Sequence, residues 1–177
     1  KAGIAVELIR LLPPKTPDAV VMADRAAAAG VSFSGWSGRL PEADVYVDAL
    51  LGIGLVSPVT GQMADIIRAL NQKPCVVAVD VPSGIDADTG EVRGIAVRAS
   101  LTVTFIGHKL GLLTGEGASC TGKLVLKHLR LTPHFYPETG VVEYLSSDDL
   151  HFPSRPRNSH KGNFGHVLII GGDEGMG

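Results

Sequence analysis

The pattern that most constrains this chain occurs twice: a short apolar run ends in an aspartate, and a turn follows. Val76-Val77-Ala78-Val79 runs into Asp80 and then Val81-Pro82-Ser83-Gly84, and Val45-Tyr46-Val47 runs into Asp48 and then Ala49-Leu50-Leu51-Gly52-Ile53-Gly54. Continuous apolar runs of this length are strands buried on both faces of a parallel sheet. Between them, Met63, Ile66, Ile67 and Leu70 fall at i, i+3, i+4 and i+7, one stripe of a helix, with Thr60 as its cap and Asn71 and Pro74 closing it. Asp48 and Asp80 stand 32 positions apart, and a βαβ unit needs roughly 30 residues or more. Parallel strands joined this way bring both acids to one carboxyl edge, where open α/β sheets bind their ligands.

The remaining segments fit the same class. Ile4–Ile9 reads as a strand ended by Pro13 and Pro14. Thr16-Pro17-Asp18 opens a helix with a hydroxyl cap, a proline in the first position and an acid in the first turn, and the helix runs to Gly30. Val31-Ser32-Phe33 is a short strand, Ser100–Phe105 a β-branched one, and Lys123–Leu126 the last of this domain. Gly107–Gly115 reads as a glycine-punctuated loop. Prolines at 133, 137, 153 and 156 mark a connector, with a short helix expected at Ser146–Leu150 and a new strand at His166–Ile170. The expected domains are therefore 1–152 and 153–177. Lys1-Ala2-Gly3 reads as the end of a helix and Gly171–Gly177 as the middle of a glycine-rich loop, so both ends are expected to be cuts in a longer protein.

Composition excludes some functions. Charged residues make up 19% and Lys and Arg form no basic cluster, so nucleic acid is not an expected partner. No apolar run approaches a membrane span, no signal peptide is read at the start, and a cytoplasmic protein is the expectation. Cys75 and Cys120 have neither metal-like nor redox-like spacing, and Cys75 is expected to be a buried thiol at the start of its strand.

Asp48, Asp80 and Ser83 together make a site of hard oxygens for a cation or sugar hydroxyls. The plainer alternative is that each acid caps its own turn. Gly52–Pro58 leaves a strand and enters a helix, a geometry that suits either phosphate contact or a simple tight turn. Asp86-Ala87-Asp88 is not a calcium loop, because Val97 stands where the twelfth-position Glu would be. Ser83 does not sit in a nucleophile elbow, which excludes a serine hydrolase. His108-Lys109 lies in a loop after a strand and could reach a ligand, though a solvated lysine is the commoner case.

Asp48-Ala-Leu-Leu-Gly-Ile-Gly54, Val79-Asp80-Val-Pro-Ser-Gly84, Thr102-Val-Thr-Phe105 and Lys109-Leu-Gly-Leu-Leu113 resemble the YjeF amino-terminal family, the NAD(P)HX epimerases. Asn158–Gly172 resembles the opening of the ADP-dependent NAD(P)HX dehydratases, and the two in this order resemble the bifunctional repair enzymes. The resemblance implies a three-layer α/β/α Rossmann-like domain followed by the first strand of a ribokinase-like one. It implies a small-molecule substrate, hydrated NADH or NADPH, whose R and S epimers the first domain interconverts. The second domain would then dehydrate the S form with ADP or ATP. A potassium ion is implied on Asp48 and Ser83, and substrate contact by Gly52, Ile53, Gly54, Leu55, Val56, Ser57, Pro58 and Asp80. Asp80 is assigned as general acid and base at the reacting ring. A homo-oligomer is expected of the full-length protein. The family's Asn-Asn-Gly-Gly-Asp-Gly loop is absent from these residues, so little activity is expected of them alone. Two alternatives are a non-catalytic binding or interaction module, since relatives act as scaffolds, and a sugar-phosphate or nucleotide enzyme on the same fold.

Overall fold

The computed structural model describes residues 3–14 and 16–131, with isolated positions 142, 158 and 168. The chain divides into two compact units, Lys1–Glu138 and Thr139–Gly177, and every described strand and helix belongs to the first. The domain boundary expected near residue 153, the helix expected at Ser146–Leu150 and the strand expected at His166–Ile170 lie outside the described residues.

The elements run β1 (Glu7–Ile9), α1 (Pro17–Ala28), β2 (Ser32–Ser34), β3 (Tyr46–Asp48), α2 (Gly61–Leu70), β4 (Val76–Val79), β5 (Leu101–Phe105), a short 3-10 turn (Leu110–Leu112), α3 (Gly115–Thr121) and β6 (Lys123–Lys127). All strand pairs are parallel: β1 with β2, and a separate sheet ordered β3-β4-β5-β6. Helices cross between β1 and β2, β3 and β4, and β5 and β6, while β4 reaches β5 through a helix-free segment. The parallel strands are as the apolar runs predict, and the three-layer α/β/α Rossmann-like class is the one the resemblance implies. Register aligns Asp48, Ala78 and Thr102, so alternation puts Tyr46, Asp48, Val76, Ala78, Thr102 and Thr104 on one face. All six are buried.

α2 covers that face at β3 and β4. Ala64, Ile66, Ile67 and Leu70 pack with Tyr46, Val76, Val59 and Val97, and burying a side chain such as Ile67 contributes about 1.5–3 kcal/mol. Asn71 ends the helix and ties it to the next segment, donating to the Ala96 carbonyl at 2.9 Å and accepting from Arg98 N at 2.8 Å. Thr60 holds the cap position, but its side chain makes no capping bond. Thr16 does cap α1, accepting from Ala19 N at 3.4 Å.

α3 is an element the sequence reading lacks. Seven residues with glycine at positions 115 and 117 have poor intrinsic helicity. Packing explains their use: a Cβ on Gly117 would lie 1.9 Å from the Gly111 carbonyl oxygen. The glycines let α3 sit directly on the turn before it, where Cys120 joins Val81, Ile85 and Leu112 in a second core cluster. Thr102 Oγ1 then donates to the Thr121 carbonyl at 2.7 Å, which satisfies a buried hydroxyl. Cys75 is only half-buried, unlike the buried thiol expected, because it precedes β4 rather than lying within it.

Candidate functional site at the carboxyl edge of the sheet

The two aspartates do reach the same edge of neighbouring strands, but their surroundings differ. Asp48, the last residue of β3, is fully buried. Its carboxylate accepts from Ser83 N at 2.8 Å, Ser83 Oγ at 2.6 Å and Leu50 N at 3.3 Å. Ser83 Oγ also accepts from Leu51 N at 2.9 Å and lies 3.2 Å from the Leu51 carbonyl. Two loops are thereby locked together, the one after β3 and the one after β4. Burial pushes the Asp48 carboxyl up, against the hydrogen bonds from Ser83 and Leu50. Among the described residues no basic side chain forms an ion pair with it. A buried carboxylate flanked by a hydroxyl and a backbone carbonyl is a donor set of hard oxygens, and it fits a hard cation better than a thiophilic metal. Among the described residues, no cluster of three or more His, Cys, Asp or Glu side chains exists to hold a metal.

Asp80 follows β4 with its backbone at φ +70°. Val81 N bonds back to the Val79 carbonyl at 3.0 Å, the i to i+2 closure of a γ-turn with positive φ at its centre. The next strand ends in the same way. Ile106 has φ +69° and Gly107 N bonds to the Phe105 carbonyl at 2.7 Å. A β-branched residue there is a true outlier, and conformations of this kind cost about 1–3 kcal/mol each and cluster at functional sites. The turn at Ile106 was not legible in the sequence, because a β-branched residue disfavours left-handed backbone, and Asp80 gave only the weak signal that Asp tolerates it.

The paired turns bring β5 and the segment after it against Asp80. Asp80 Oδ1 accepts from Thr104 Oγ1 at 3.1 Å, from Phe105 N at 3.1 Å and from Lys109 Nζ. Lys109 also donates to Thr104 Oγ1 at 3.0 Å and to the Phe105 carbonyl at 2.8 Å, using all three of its protons. The Lys109 side chain is 19% exposed and that of Asp80 24%, so this is a half-buried ion pair and not the solvated lysine the sequence suggested. Burial pushes the Asp80 carboxyl up, but bonds from Lys109 and Phe105 N, the Lys109 charge and Thr104 together outweigh it and hold Asp80 below the usual carboxylate range. At neutral pH Asp80 is therefore a carboxylate, the base form of an acid–base group. All three bonds fall on Oδ1, and since no buried side-chain oxygen among the described residues lacks a partner, Oδ2 faces solvent.

The turn between the two acids is built into the core. Gly84 has φ +98°, and a Cβ there would lie 2.0 Å from the Ile95 carbonyl. Val97 N bonds to the Ser83 carbonyl at 2.8 Å. Asp86 is paired within its own turn. Arg93 donates to it from Nε at 3.2 Å and from Nη2 at 2.7 Å, while Asp88 N and Thr89 N close a turn on its other oxygen. Beside Ser83, the loop after β3 lines a pocket of about 410 Å³ with Leu50, Leu51, Gly52, Gly54, Leu55, Val56 and Ser57. Of the loop's other predicted contacts, Ile53 and Pro58 are exposed and do not line it. A larger hollow of about 700 Å³, lined by Glu7, Ser34, Arg39 and Lys73 among others, contains none of the predicted site residues.

The pairing of Lys109 with Asp80 is what sequence reading missed. Its available signal was topological: if β4 and β5 are neighbours, a lysine just after β5 lies beside an acid at the end of β4.

Comparison with known proteins finds that the family described as YjeF-related protein N-terminus matches residues 1–111. The bifunctional NAD(P)H-hydrate repair enzyme Nnr of Coxiella burnetii is 47% identical over 139 residues, 76% of this chain and 28% of that protein. The enzyme of the same name from Thermofilum pendens is 38% identical over 173 residues, 97% of this chain and 29% of its own length. That from Escherichia coli K12 is 40% identical over 135 residues, 75% and 26% respectively. The chain thus spans less than a third of the length of these relatives.

Proposed function

We propose, for a chain that belongs to the family of YjeF-related protein N-termini, that it acts in the repair of hydrated NADH and NADPH by interconverting their R and S epimers. In this reading a second domain of the full-length protein dehydrates the S form with ADP or ATP. The observation that carries the reading is the Asp80 carboxylate, with Oδ1 anchored by three donors and Oδ2 left open at the ligand edge of the sheet. Epimerisation at the hydroxyl-bearing carbon requires a proton to leave and return, and a positioned carboxylate handles such a transfer for a gain of about 10²–10⁴ in rate. The loop 52–58 would hold the substrate, brought beside Asp80 because Ser83 Oγ and Leu51 N tie the two loops together. Asp48 and Ser83, with the Leu51 carbonyl, would hold potassium, whose contribution when bound is to neutralise the buried carboxylate and fix both loops.

The test is epimerisation of NADHX by the full-length protein, followed by chiral separation. The wild type is expected to equilibrate the epimers, and Asp80→Asn to do so at least about 10²-fold more slowly. An Asp80→Asn protein with the wild-type rate overturns the assignment.

A further inference from the structure

The three donors on Asp80 Oδ1 do more than anchor it. Two of them, Phe105 N and Thr104 Oγ1, belong to β5, and the third arrives from the segment after β5 as the Lys109 ammonium. Lys109 is itself pinned, since its other protons go to Thr104 Oγ1 and the Phe105 carbonyl. The ammonium cannot swing towards a ligand without breaking both bonds. The strained turns at Asp80 and Ile106 are what aim the two partners at each other. A lysine this constrained, with its charge against one carboxylate oxygen, acts through that carboxylate.

We infer that Lys109 is a positioning residue of the site: it fixes Asp80 as an anion with Oδ1 occupied, so that Oδ2 meets the substrate first as a base. The inference rests on the epimerase reading above and sharpens its first step. Oδ2 takes the hydroxyl proton at C6 of the hydrated ring while the C6–N1 bond opens. The bonding pair passes to N1 and its conjugated carboxamide, and an aldehyde remains at C6. Rotation about the adjacent carbon–carbon bond presents the other carbonyl face. N1 then re-adds, and Asp80 returns the proton to the oxygen. No atom is gained or lost and nothing is oxidised or reduced. Lys109 keeps its proton throughout and stabilises the carboxylate before and after the transfer. The opposite order, with Asp80 donating first, would need a protonated carboxyl that its partners disfavour.

Lys109 is the charged group that bears on Asp80. His108 lies beside it and is itself held low by burial, by Lys109 and by His128. The pH profile of kcat/KM in the full-length protein therefore distinguishes the roles, since its limbs report the free enzyme's groups. Lys109→Met is expected to slow epimerisation of NADHX at least about 10²-fold near neutrality and to move the acidic limb to higher pH, because Asp80 loses the charge that keeps it ionised. Lys109→Arg retains a cation and is expected to keep the limb near its wild-type position. A Lys109→Met protein whose loss is the same at every pH has a structural defect only, and overturns the inference. A His108→Gln protein whose acidic limb moves as that of Lys109→Met does overturns it too. A wild-type protein that does not epimerise NADHX at all refutes the functional reading itself, whereas an active wild type with an unmoved limb in Lys109→Met refutes only the role of Lys109.

Discussion

Replacing Ser83 by alanine removes one oxygen and breaks the joint between two loops. The Ser83 hydroxyl donates to the buried Asp48 carboxylate at 2.6 Å and accepts from Leu51 N at 2.9 Å. A hydrogen bond to a charged group contributes about 1.5–3 kcal/mol, and a buried N–H left without a partner costs about 1–3 kcal/mol. Leu51 is only half-buried, so water can recover part of the second loss. The backbone bond from Ser83 N to Asp48 Oδ2, 2.8 Å, survives the change. The expected destabilisation is therefore about 2–4 kcal/mol. Hydrogen exchange on the full-length protein reads it locally, in peptides covering Tyr46–Leu51 and Val76–Ile85. At about 1.4 kcal/mol per factor of ten, protection should fall by roughly 30- to 700-fold. A double-mutant cycle with Asp48→Asn isolates the pair and should return a coupling of about 1.5–3 kcal/mol. Protection within about threefold of wild type, or a coupling near zero, would refute the claim that Ser83 and Asp48 hold the two loops together.

Two further substitutions test the packing and charge arguments. Gly117→Ala places a Cβ 1.9 Å from the Gly111 carbonyl oxygen and should destabilise by about 3 kcal/mol, while Gly35→Ala, with nothing within 4 Å, should leave the melting temperature almost unchanged. Arg93 holds the Asp86 carboxyl well below the usual carboxylate range, so the pair's contribution is present above that range and is lost as pH falls towards Asp86's depressed value. Arg93→Met should accordingly melt lower than wild type at pH 7, with the gap closing on acidification. A gap that widens at low pH would show that the pairing has the opposite sign.

How much was legible beforehand depends on which interactions are local. The stripe Met63, Ile66, Ile67 and Leu70 announced α2, and Thr16-Pro17-Asp18 announced α1, because period and capping are written in neighbouring residues. The apolar runs announced β3 and β4 as adjacent parallel strands, and the register places Asp48 level with Ala78, two residues before Asp80. The strand of Ile4–Ile9 shrank to Glu7–Ile9, since composition marks a strand but pairing sets its ends. α3 was invisible, because its two early glycines lower helicity and their value lies in a backbone contact with Gly111.

The sequence by itself determined the class of fold, the parallel edge and the presence of two acids and a serine on it. Those come from hydrophobic period and spacing, which are written in neighbouring residues. Only the tertiary structure decided that the acids differ. Asp48 is enclosed and held by hydrogen bonds from Ser83 and Leu50, while Asp80 is held ionised by a lysine 29 positions away. Proton affinity depends on burial and on partners through space, and a chain of residue names contains neither until neighbouring strands are laid side by side.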